Sequence, residues 1–217
     1  MDKLDLTLYF VTDSTNKTEQ EFLEIVDLAC AGGVTLVQLR EKEKRGLEYF
    51  TLAEKVKQIT DKYKIPLIID DRVDIAMAVD AAGVHVGQSD MPVYAARKLM
   101  GENKIIGASA KTVAQAKKAK EEGADYLGVG AIYPTSTKVV TVITGVSTLN
   151  EIAAETNIPV VAIGGLNDSN MHVLYDSLAD GIAVVSAIMK SDDPCAAAGA
   201  LKTQIAENFK KLTAQCR

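Results

Sequence analysis

The chain has no long basic run, no CxxC pair and no apolar stretch near the roughly 18 residues of a membrane span. Each absence removes a class of function. With a net charge of −5 and scattered Lys and Arg, a nucleic-acid surface is not expected; any anion must be held by a local cluster in an acidic background. Cys30, Cys195 and Cys216 are odd in number and far apart, which suits reduced thiols in a cytoplasm and offers no zinc site. Met1-Asp2-Lys3-Leu4-Asp5 is polar and leads straight into a strand-like run, so no signal peptide is expected. There is also no Gly/Ser linker, low-complexity tract or composition step, so residues 1–217 are expected to form a single domain. Homo-oligomerisation is left open.

What the chain does have is alternation. Short apolar runs fall at Leu6–Thr12, Leu36–Arg40, Pro66–Asp70, Val84–Gly87, Ile105–Ala110, Tyr126–Ile132, Pro159–Gly164 and Ile182–Ser186. Helical periodicity lies between them, as in Glu19–Ala31, Leu47–Tyr63, Val113–Glu122 and Val146–Glu155. Eight strands, each followed by a helix, is the count of a parallel (β/α)8 TIM barrel. An open doubly wound sheet would want a glycine-rich turn after its first strand, and here that turn reads Asp13-Ser14-Thr15-Asn16. The α/β barrel is therefore the expected fold, with its chemistry at the C-terminal strand ends.

Those ends carry a pattern. Gln38, Arg40 and Lys42 stand at alternate positions, so an extended chain projects all three to one side. Fixed charge turned inward is costly unless an anion pairs with it, whereas a solvated strand end would cost nothing. Asp70 and Asp71 follow the third strand and Asp90 the fourth; Asp71 and Asp90 suit either helix caps or a magnesium ion, which takes one or two carboxylates and substrate phosphates. Ser109 lies on the fifth strand, and Thr135, Ser136, Thr137 and Lys138 follow the sixth. Gly164 and Gly165 end the seventh and Val185-Ser186 the eighth, where a backbone phosphate site is expected. Two anion sites result, one with a metal and one without. His85 reads as a satisfied core histidine more readily than as a base, and His172 as a residue of a surface helix. Tyr9 and Tyr133 read equally as packing residues or as ring-stacking ones.

The ordered stretches Tyr9–Asp13, Val37–Lys42, Asp71–Ala76, Gly83–Asp90, Gly128–Lys138 and Ile163–Gly165 resemble the thiamine phosphate synthase family over nearly the whole chain. The resemblance implies a Mg²⁺-dependent transferase of thiamine biosynthesis. Such an enzyme joins a hydroxymethylpyrimidine diphosphate to a thiazole phosphate and releases pyrophosphate by a dissociative route. Carried over residue by residue, it implies that Gln38, Arg40, Lys42, Ser109 and Lys138 contact the pyrimidine diphosphate, with Arg40, Lys42 and Lys138 stabilising the leaving group. Asp71 and Asp90 would hold the metal, and Thr135, Thr137, Gly165, Val185 and Ser186 the thiazole phosphate. Asp70 departs from the pattern, standing where the family usually has Asn beside the substrate. Val139–Thr144 departs too, being more apolar than the family's loop. A thiazole tautomerase-like paralogue and a barrel that binds the phosphate ligand without catalysis are the alternatives; retention of the cation triplet and both aspartates argues against the first.

Overall fold

The structure, a computed structural model, describes residues 4–135 and 143–209. The apolar runs become eight strands among these residues: β1 (Leu8–Val11), β2 (Leu36–Leu39), β3 (Leu67–Asp70), β4 (Gly83–Val86), β5 (Ile105–Ala110), β6 (Tyr126–Gly130), β7 (Val160–Ile163) and β8 (Gly181–Val184). Each pairs in parallel with the next, and β8 pairs with β1, closing the barrel. Nearly every strand residue is buried, because a closed parallel sheet is covered on the outside by helices and filled within. That is why these segments read as continuous apolar runs rather than alternating ones.

The helices are α1 (Glu19–Ala31), α2 (Gly46–Lys62), α3 (Val73–Ala78), α4 (Val93–Met100), α5 (Val113–Glu121), α6 (Val146–Thr156), α7 (Ser186–Met189) and α8 (Pro194–Asn208). The start of α1 is set by a reciprocal cap: Thr18 accepts the Glu21 N–H, and the Glu21 carboxylate accepts the Thr18 N–H. Its apolar stripe, Phe22, Val26, Ala29 and Cys30, is buried in the core, where burial pushes the Cys30 thiol up to about 12. No helix among the described residues is long and apolar enough to cross a membrane.

Most strand boundaries differ from the expectation by one or two residues, and three departures bear on the site or its surroundings. β2 stops at Leu39 and β6 at Gly130, so Arg40, Lys42 and the Tyr133–Thr135 segment stand in loops beyond the sheet. After β7 there is only a short 3-10 helix, Met171–Leu174, and the exposed His172 sits in that turn rather than in a surface α-helix. The reason is local. Asn167 Oδ1 accepts the Ser169 N–H and Asn170 Oδ1 accepts the Asn167 N–H, so side chains take the donors that a helix would need.

Inside the barrel, Leu6, Tyr9, Val11, Leu36, Ile68, Tyr126, Val161 and Ala183 pack as a separate cluster. Large rings fit there because Gly107 and Gly128 present no side chain: a Cβ on Gly107 would collide with the Tyr126 ring and with His85 Nδ1. Gly107→Ala is expected to destabilise the protein by about 1–3 kcal/mol through overpacking, read as a lower urea midpoint. An unchanged midpoint would contradict this inner packing.

Candidate active site

The C-terminal rim of the barrel opens into a cavity of about 600 Å³, within the range of small-ligand sites. Its wall includes Gln38, Arg40, Lys42, Asp70, Asp71, Asp90, Ser109, Thr135, Gly164, Gly165, Val185 and Ser186. Residues from seven strands and their following loops thus meet in one place, although they are spread over much of the chain. Thr137 and Lys138 lie outside the described residues, as do 139–142 of the apolar Val139–Thr144 stretch. Thr144 itself is buried and anchored: its N–H donates to the Ala131 carbonyl and its hydroxyl to that of Gly130.

Tyr49 of α2 sets the rim between β2 and β3. Its hydroxyl lies 2.8 Å from the Leu39 carbonyl oxygen and 3.2 Å from that of Asp70. The chain leaves β2 at this point with its alternation preserved: Gln38, Arg40 and Lys42 line the cavity, while Glu41 turns aside to accept the Ser14 hydroxyl at 2.8 Å.

Asp70 is the most confined of the three carboxylates, its side chain 10% exposed. It pairs with Lys42 Nζ at 2.9 Å and more loosely with Arg40 Nε at 3.8 Å. Burial raises its pKa against the pull of the two cations. Lys42 also bonds to Asp71, so one ammonium bridges consecutive carboxylates. Burial works to lower the Lys42 pKa, but the two aspartates outweigh it and the net shift is upward.

Asp71 is aimed by its backbone. It adopts a left-handed φ of 59°, uncommon for a residue with a side chain though tolerated by Asp, and its N–H donates to the His85 carbonyl at 2.8 Å. Neither Asp71 nor Asp90 caps a helix: the caps of α3 and α4 are Arg72 and Pro92. Asp90 instead accepts the Gly87 N–H at 2.9 Å. Burial, then hydrogen bonding and like charge from Asp71, raise the Asp90 pKa, and both carboxylates line the same cavity. Arg72 is spent elsewhere, forked onto Asp74.

On the opposite wall, Gly164 and Gly165 have φ of 105° and 64°, a conformation natural to glycine, and stand beside Val185 and Ser186. The cavity also includes residues not singled out from the sequence. Lys111 follows Ser109 by two positions, so the alternation of β5 carried one step past its end would have found it. Gln88 donates to the Ser109 carbonyl at 2.7 Å, a pairing of the loop after β4 with strand β5 that has no local signal.

Comparison with known proteins gives a consistent result. The family model described as thiamine monophosphate synthase matches residues 8–188. A thiamine-phosphate synthase of Methanobrevibacter smithii is 53% identical over 194 residues, covering 89% of this chain and 92% of the relative. One of Enterococcus faecalis is 54% identical over 187 residues, with 86% and 88% covered. The solved thiamine phosphate pyrophosphorylase of Pyrococcus furiosus superposes with a TM-score of 0.86 at 38% identity, covering 95% of this chain and 98% of that one.

The ionic cluster can be tested by stability alone. Lys42→Ala should cost more in the native background than in Asp70→Asn. The expected coupling is about 1 kcal/mol, kept small by the partial exposure of Lys42. Additive effects in urea denaturation would contradict the pairing.

Proposed function

The chain belongs to the thiamine monophosphate synthase family, and from that premise we propose that it transfers a hydroxymethylpyrimidine group from its diphosphate to a hydroxyethylthiazole phosphate, releasing pyrophosphate. The observation that carries this reading is the meeting of Arg40, Lys42, Asp71 and Asp90 with Gly165 and Ser186 around one cavity. A cationic and carboxylate wall faces a glycine-rich one, which suits a diphosphate on one side and a monophosphate on the other.

Among the described residues no three His, Cys, Asp or Glu side chains gather into a metal cage. The adjacent Asp71 and Asp90 nevertheless suit Mg²⁺, which typically takes one or two carboxylates and completes its shell with water and phosphate. When bound, the ion would neutralise charge on the departing diphosphate.

The chain's own residues do the remaining work. Arg40 offers a planar fork for phosphoryl oxygens, and Lys42 a mobile point charge that must leave Asp70 or Asp71 to reach them. Gln38 and Ser109 extend the diphosphate-side wall, and Lys138 is assigned to it from the sequence. Thr135, Gly165, Val185 and Ser186, with Thr137, would hold the thiazole phosphate and align its ring nitrogen with the pyrimidine methylene carbon. No side-chain nucleophile is required: the pyrimidine amino group assists ionisation, the protein stabilises the leaving group, and alignment does the rest.

Asp70 gives the site its particular character. As an ionised carboxylate it occupies Lys42 and Arg40 before substrate arrives, and it cannot donate a hydrogen bond to diphosphate as an asparagine would. Asp70→Asn is therefore expected to lower KM for the pyrimidine diphosphate; an increase would show that the carboxylate assists binding. Pyrophosphate release should require both substrates and Mg²⁺, and Arg40→Ala should slow single-turnover release about 10²–10³-fold, the scale of losing one electrostatic stabiliser. Tight binding of thiazole phosphate with no pyrophosphate release would replace this reading with a non-catalytic barrel.

A further inference from the structure

Along the cavity floor runs an unbroken chain of hydrogen bonds that joins two of its walls. Gln38 Nε2 donates to the Tyr9 hydroxyl at 2.7 Å, and the Tyr9 and Tyr126 hydroxyls are 2.8 Å apart. Tyr126 OH lies 3.0 Å from His85 Nδ1, and His85 Nε2 lies 3.0 Å from Ser109 Oγ. Gln38, Tyr9, Tyr126 and His85 are all buried, and every member of the hydrogen-bond chain except Tyr126 borders the cavity.

The chain has a direction. The amide nitrogen of Gln38 can only donate, so the Tyr9 oxygen accepts from it and the Tyr9 proton is free for Tyr126. Tyr126 in turn passes its proton to His85 Nδ1, which must be an unprotonated acceptor. The neutral imidazole then carries its hydrogen on Nε2 and donates to Ser109 Oγ. The reverse polarity would leave the Tyr9 proton buried against an amide nitrogen that cannot accept it.

From this geometry we propose that His85 is a positioning residue: by occupying the Ser109 oxygen as an acceptor, it forces the Ser109 hydroxyl to donate into the cavity. A serine is ordinarily free to donate or accept. With His85 donating to one of its lone pairs, Ser109 keeps its proton for the cavity, where it suits a ligand atom that accepts, such as a phosphoryl oxygen or an unprotonated ring nitrogen. Gly107 is part of the device, because a side chain there would displace both Tyr126 and His85. In its kinetic arm the inference rests on the synthase reading above, whereas the polarity of the chain does not.

Two measurements keep those apart. In ¹⁵N-labelled protein without ligand, the ring nitrogens of His85 should show the Nε2–H tautomer, and Tyr126→Phe should reduce that preference. A dominant Nδ1–H tautomer in the native protein overturns the proposal whatever the protein's activity. In the kinetic arm, Ser109→Ala and His85→Met should each lower kcat/KM for the pyrimidine diphosphate by about 10–100-fold, the scale of one hydrogen bond to a charged group. The double variant should be no worse than either alone, and His85→Gln, whose amide can still donate toward Ser109, should recover part of the loss. Additive losses, or no recovery with Gln, would reduce His85 to packing. If His85→Met does not fold, Tyr126→Phe takes its place and must likewise show no further loss when combined with Ser109→Ala.

Discussion

Pairing of β1 with β8 turns eight short parallel strands into a closed sheet, and the site depends on that closure. Most of the strands are four residues long, too short to be stable as isolated parallel pairs. Closure removes the exposed edges and directs every strand's C-terminal end to one rim. It also produces an interior narrow enough for residues of β1, β2, β4, β5 and β6 to touch across it. The Gln38–Tyr9–Tyr126–His85–Ser109 chain exists because of that narrowness. An open sheet of the same strands would hold neither this chain nor the cavity above it.

Charge is handled at the rim in a way that follows from the same confinement. Arg40 and Lys42 cannot be turned toward a low-dielectric interior without partners, and Asp70 and Asp71 supply them. A diphosphate, with any divalent ion that accompanies it, would replace an internal ion-pair arrangement rather than fill a vacant one. Affinity then depends on the difference between two sets of pairings, and a single change at position 70 acts on both.

Much of this was legible in the sequence, for identifiable reasons. A strand buried on both faces leaves a continuous apolar signature, so β5 was expected over Ile105–Ala110 and is found there. Helical periodicity likewise marked Glu19–Ala31, the span that α1 occupies. The cavity's residues were found because a barrel converts strand ends into neighbours. What was not legible depends on distant contacts. Asp90 could be read as the cap of the following helix, whereas Pro92 holds that position and Asp90 accepts the Gly87 N–H. The 3-10 turn after β7 follows from Asn167 and Asn170 bonding locally where a helix was expected. The role of His85 needed five residues from five strands in one line, which no local pattern records.

The central claim is that Arg40 and Lys42 at this rim are a grip for a diphosphate, and binding of inorganic pyrophosphate tests it without any chemical step. Calorimetric titration should show pyrophosphate binding that strengthens markedly with Mg²⁺ and weakens at least about tenfold in Arg40→Ala, the loss of one bidentate charged contact. Equal affinity in the native protein and in Arg40→Ala, with or without Mg²⁺, would contradict the account.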